Sequence, residues 1–304
     1  MNTKTYKQII WFMGIAFAFT WGWVLIIELV DGAESLPPVG MFGPMIAALI
    51  VQKFIARRPI WGKNGLGFVV GKKRYWLIGP TIMFVVLAAI FGITYVAAPE
   101  LFVELKHLPA SLADASLPLS DSVPTALLTL FGLNVVLGPI INLPLMLGEE
   151  VGWRGFLTPN LVQKFGKRGL IYANVVWALW HVPMFFQGLN YSNNPWLGIP
   201  FMIGVSVPMG IIFQTMFQRS KGAIWVPALM HGVVNQVTMT VMNFLVRDEA
   251  AFNTFLHGPT GTIGIVMMGL LAIYFYRWYE VGLGNVVEVE TAVSTSLTTI
   301  QPNT

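Results

Sequence analysis

Glu149 and Glu150 stand side by side in an apolar stretch and are followed four residues later by Arg154; Trp177 precedes His181 by four, and His231 precedes Asn235 by four. In a helix, residues at i and i+4 lie one above the other on the same face. Glu150 and Arg154 can therefore pair as ions, which lowers the cost of holding either charge among apolar neighbours. Glu149, about 100° further round the helix, is left free for chemistry. His231 and Asn235 present an imidazole and an amide toward one point, a suitable donor pair for a developing oxyanion. Trp177, one turn from His181, can wall off or orient that ring.

These residue types combine into one reaction. A carboxylate at low dielectric is a stronger base than one in water, so Glu149 is a candidate general base, with His181 holding or polarising the water. His231 and Asn235 would stabilise the tetrahedral intermediate of an amide under attack. The result is peptide hydrolysis without a covalent intermediate, and no serine is needed. Glu149, His181 and His231 would also make a fitting zinc set, although the chain lacks a His-Glu-x-x-His signature. Metal-free catalysis with no cofactor is the favoured expectation.

The elements that must position these groups are membrane helices. Of 304 residues, 55% are hydrophobic and 11% charged, against roughly a quarter charged in an ordinary soluble domain. The absence of cysteine removes disulfides, thiol nucleophiles and Cys-ligated zinc or iron-sulfur clusters. The net charge of +4 does not point to nucleic acid, because the basic residues lie in short blocks between apolar runs rather than on one face. Apolar runs long enough to cross about 30 Å of hydrocarbon are Ile9 to Val30, Val39 to Ala56, Trp76 to Ala98, Pro124 to Leu147, Leu170 to Phe186, Trp196 to Phe217, Ala223 to Val246 and Gly261 to Trp278. The expected fold is all-α: a polytopic membrane helix bundle with about eight transmembrane helices.

Placing the amino terminus inside puts all but Lys106 and Arg247 of the 18 Lys and Arg on the cytoplasmic side, as short cytoplasmic loops require. The longest opposite loop instead carries Glu100, Glu104, Asp114 and Asp121. Both termini are then cytoplasmic in a multi-pass protein of the cell membrane, and the first span is an uncleaved anchor. Residues 1–280 read as a single transmembrane domain, and 281–304, rich in Val, Thr, Ser and Glu without helical period, as a disordered cytoplasmic tail. If the fourth helix continues through Trp153, Phe156 and Leu157 to Pro159, the helical rise puts Glu149 about 12 to 15 Å below the cytoplasmic surface, His231 about 12 Å and His181 about 16 Å. Agreement in depth is the precondition for a shared site. Ionisable groups at such depth usually face a cavity and carry function. Taken singly, each has a plainer reading: Glu149 and Glu150 as a helix-end pair in headgroup water, the histidines as interhelical hydrogen bonds. Glu28 reads as interfacial, and Asn134, Asn142, Asn174, Gln214, Gln236 and Asn243 as bundle-packing groups.

On these residues the chain resembles the CPBP family of intramembrane proteases, which includes the type II CAAX prenyl endopeptidases and bacterial relatives linked to bacteriocin processing and self-immunity. The family's motifs are Glu-Glu-x-x-x-Arg, Phe-x-x-x-His and His-x-x-x-Asn. They correspond to Glu149-Glu150-Val151-Gly152-Trp153-Arg154, to Trp177-Ala178-Leu179-Trp180-His181 and to His231-Gly232-Val233-Val234-Asn235. The order is the family's; Trp177 stands where the motif usually has Phe. The resemblance spans Glu149 to Asn235 and implies that Glu149 and His181 activate water, that His231 and Asn235 form the oxyanion site, and that Glu150 with Arg154 shapes the pocket. The implied partners are the lipid bilayer and a membrane-embedded or lipid-modified peptide, either a prenylated Cys-a-a-X terminus or another membrane-associated peptide. The family is often called metalloprotease, yet the same residues can work as a metal-free glutamate protease. Two alternatives remain open at this point. One is a non-catalytic membrane scaffold or bacteriocin immunity protein, for which degraded motifs are expected. The other is a proton-coupled transporter, for which repeat symmetry between the halves is expected.

Overall fold

The computed structural model describes residues 3–30, 38–62, 64–109, 112, 122–248 and 251–281. Lys63, Asp114, Asp121 and all of the expected tail except Val281 lie outside the described residues. Among the described residues, ten helices carry the architecture: α1 (Thr3–Leu29), α2 (Gly43–Ile50), α3 (Tyr75–Ala97), α4 (Val123–Thr129), α5 (Leu143–Glu150), α6 (Thr158–Phe165), α7 (Arg168–Trp180), α8 (Pro195–Arg219), α9 (Trp225–Phe244) and α10 (Thr262–Trp278).

Lys4–Leu29, Tyr75–Ala97, Val123–Ile141 and Pro195–Arg219 are long and apolar enough to cross a bilayer, and Val39–Ile55 and Thr262–Trp278 are shorter apolar helices. The outward faces agree with that reading. Leu77 is 74% exposed and Val96 81% exposed on α3, surfaces that only hydrocarbon would stabilise. The chain is a multi-pass helical membrane protein.

Most expected spans reappear as helices with ends shifted by a few residues. The fourth does not. The expected span from Pro124 to Leu147 breaks at Asn142, between the one-turn helix Gly138–Ile141 and α5. The cause is Pro144, which has no N–H to offer the carbonyl four residues back and whose ring favours the start of a new helix. Asn142 Nδ2 donates instead to the Gly138 carbonyl at 3.1 Å. Beyond α5 the chain widens into a π-helical segment, Val151–Leu157, before α6. The fifth span is also divided. α7 stops at Trp180 because Pro183 follows, leaving His181 at the turn before the short helix Val182–Phe185.

α8 packs against α7 and α10, α9 against α3 and α5, and α2 against α1 and the π segment. Without a hydrophobic driving force between helices in lipid, close approach at small residues does much of this work. A Cβ at Gly152 would lie 2.4 Å from Pro44 Cβ and 2.6 Å from its backbone, so the π segment lies directly on α2. Nearby, the Phe12 ring stands 5.6 Å from Trp153 and 5.1 Å from Phe156 between ring centroids, fixing α1 on the same surface. Gly152→Val should force α2 and the π segment apart and lower stability by about 1–3 kcal/mol, read as a fall in Tm in detergent. Gly92→Ala, where nothing lies within 4 Å, should leave Tm unchanged or raise it.

Candidate active site

Glu149 and Glu150 end α5 just where the π segment begins, and their side chains part company. Glu150 Oε1 accepts from Arg154 Nη1 at 3.1 Å, and both side chains are 0% exposed. The same oxygen accepts from His231 Nδ1 on α9 at 2.8 Å. Glu149 Oε2 accepts from Trp177 Nε1 on α7 at 2.9 Å. The pairing expected from the i,i+4 spacing of Glu150 and Arg154 is thus found. Glu149, expected to be unoccupied, uses one oxygen on Trp177.

Trp177 is where the separate motifs meet. Its ring centroid lies 5.7 Å from that of His181 and 5.7 Å from that of His231, both edge-on. The Arg154 guanidinium lies over its face at 4.1 Å and over Phe213 of α8 at 5.1 Å. His181 Nδ1 stands 2.9 Å from the Trp177 carbonyl. A carbonyl only accepts, so Nδ1 carries a hydrogen, and in the neutral ring Nε2 keeps its lone pair. Glu149, His181 and His231 are all buried, while Asn235 is half-buried.

Residues 124–237, which contain all three motifs, match the family described as Rce1-like: Type II CAAX prenyl endopeptidase Rce1-like. No curated protein matches the sequence.

His231 Nδ1 is held by Glu150, and Asn235 Nδ2 donates to Met146 Sδ at 3.5 Å. Among the described residues, no three His, Asp or Glu side chains form a group that could hold a metal ion.

Three further residues belong to the site. Asn174, expected to be a packing group, accepts from Arg154 Nη2 at 3.4 Å and donates to the Leu170 carbonyl at 2.7 Å. Its position was readable: Asn174, Trp177 and His181 stand at i, i+3 and i+7, one face of a helix. Phe213 was not readable, because its role follows from the docking of α8 on α7. Trp180 packs edge-on against His181 at 4.8 Å and against Trp153 at 5.7 Å, closing the cluster on the side of the π segment. Arg154→Met should leave a buried carboxylate with only His231 and cost about 3–5 kcal/mol. The double variant Glu150→Gln with Arg154→Met should lose less than the sum of the single variants, a coupling measured by a double-mutant cycle of thermal unfolding.

Proposed function

We propose that this protein is an intramembrane endopeptidase that hydrolyses a peptide bond of a membrane-associated or lipid-modified peptide. The observation that carries this reading is the contact of Trp177 with Glu149, His181 and His231 at once. Groups from three separate helices are gathered into one buried cluster, within a segment matching a peptidase family.

In the proposed reaction Glu149 takes a proton from water, and the His181 Nε2 lone pair accepts from the same water and aligns it. The hydroxide oxygen bonds to the scissile carbonyl carbon, and the carbonyl oxygen takes up the negative charge. His231, whose Nδ1–H is held by Glu150, donates to that oxygen through Nε2 in its doubly protonated form, and Asn235 supplies a second N–H by rotating away from Met146. The C–N bond then breaks, and the proton held by Glu149 passes to the departing amine. Trp177 sets the direction of the Glu149 carboxylate, while Arg154 and Glu150 hold His231. The distribution of Lys and Arg supports cytoplasmic termini and cleavage within or near the cytoplasmic leaflet of the cell membrane. Residues 1–280 act as one transmembrane unit in this reading.

Glu149→Gln keeps an acceptor for Trp177 but removes the base; hydrolysis should fall by about 10²–10⁴ while the protein stays folded in the membrane. His181→Ala should do the same. The measurement is mass spectrometry of the host's membrane and secreted peptides with wild type or a variant as the sole copy: a peptide shortened only with wild type is the expected result. Identical peptide profiles, with Glu149→Gln still rescuing the deletion phenotype, would replace catalysis with binding or immunity. Trp177→Phe keeps the ring and loses one hydrogen bond, so it should retain most activity, within about tenfold of wild type.

A further inference from the structure

A second feature lies on the outside of the bundle, where α7, α8 and α10 meet in a groove of about 520 Å³. Ile171, Ile203, Val207, Ile265 and Ile273 line it, and its lining is apolar except for Tyr276 and Arg277 at one end. Ile171 and Ile273 are both exposed, so the groove opens sideways, toward hydrocarbon if the bundle sits in a bilayer. Gly269 lies on its floor with nothing within 4 Å of an added Cβ. From Ile265 to Arg277 the helical rise gives about 18 Å, slightly more than half of a hydrocarbon core of about 30 Å.

The end of the groove is cationic. Lys167 Nζ donates to the Tyr276 carbonyl at 2.9 Å and to the Arg277 carbonyl at 3.4 Å, which brings the start of α7 beside the end of α10. Arg168 follows Lys167 directly. Among the described residues, no acidic side chain pairs with Arg277, Lys167 or Arg168. An extended peptide is a poor occupant, because its backbone N–H and C=O groups would find no partners along an apolar lining. A chain of about one leaflet's length ending in a negative charge satisfies both parts.

We propose that this groove is a binding site for a phospholipid with an anionic headgroup, its acyl chain lying along α8 and α10 and its phosphate against Arg277, Lys167 and Arg168. The assignment does not rest on the peptidase reading. It uses the other face of α8 from Phe213, and no residue of the Glu149 cluster.

The test is native mass spectrometry of the purified full chain, presented with equal amounts of phosphatidylglycerol and phosphatidylcholine. Wild type should retain phosphatidylglycerol in preference. Arg277→Gln, an exposed position whose change leaves the fold intact, should lower that preference about fivefold, near 1 kcal/mol for one cation at a membrane surface. Gly269→Leu projects into open space and fills the groove, so it should lose both lipids while keeping its Tm in lipid-free detergent. Equal retention of the two lipids by wild type would overturn the proposal, as would undiminished retention by both variants. Displacement of bound phosphatidylglycerol by a farnesylated peptide, equally in wild type and Arg277→Gln, would give the groove to a substrate's tail and overturn it too.

Discussion

The ion pair between Glu150 and Arg154 governs the rest of the site. Two full charges with no exposure are costly in any protein interior, and more so in a bundle surrounded by lipid. They are held by partners that come from different helices, although Glu150 Oε2 and Arg154 Nε make no hydrogen bond among the described residues. Asn174 and Trp177 reach the guanidinium from α7, Phe213 from α8, and His231 reaches the carboxylate from α9. Each partner is held in register by the charge it serves. Replacing such a pair with apolar side chains of its own size is often neutral or stabilising, and its effect here is on geometry: its partners come from α7, α8 and α9.

The backbone irregularities serve the same end. A straight helix from Val123 to Phe165 would carry Glu149 and Glu150 past the bundle in a fixed α spiral. The break at Asn142 lets the second part take its own direction, and the π segment after Glu150 widens the following turn. π-helical turns are uncommon and often stand at functional sites. Here the junction falls directly after the two carboxylates, so that one faces Trp177 of α7 and the other His231 of α9. Gly152 in that segment permits direct contact with Pro44, which holds the irregular turn against α2.

How much of this could be read in the sequence follows from the range of each interaction. The Glu150 to Arg154 pair and the shared face of Asn174, Trp177 and His181 are local consequences of helical geometry. The membrane setting follows from composition. The break at Asn142 and the stop at Trp180 were also legible, because Pro144 and Pro183 each remove a backbone donor, but apolar continuity masked them. The place of Trp177 at the centre of the cluster was not legible. It depends on α5, α7 and α9 docking with particular faces inward, as does the turn of Asn235 toward Met146. Local spacing identifies which residues can cooperate on one helix; it does not say which atoms from different helices meet.

In the proposed reaction, the unequal surroundings of the two adjacent carboxylates give them different work. Glu150 has a guanidinium and an imidazole on a single oxygen, so protonating it would strand Arg154 without its counter-charge. Glu149 has one neutral partner, the Trp177 N–H, and its proton can come and go without breaking an ion pair. With Arg154 charged and both carboxylates ionised, the cluster carries one excess negative charge, which a doubly protonated His231 cancels. In the proposed reaction that balance is kept: as Glu149 gains the proton from water, the negative charge moves to the oxyanion, still facing the His231 cation. No net charge is created in a low-dielectric interior at any step, which is the condition a buried hydrolytic site has to meet. Exchanging the roles of Glu149 and Glu150 would violate it, because the proton would then land on the one carboxylate whose charge holds both Arg154 and His231 in place.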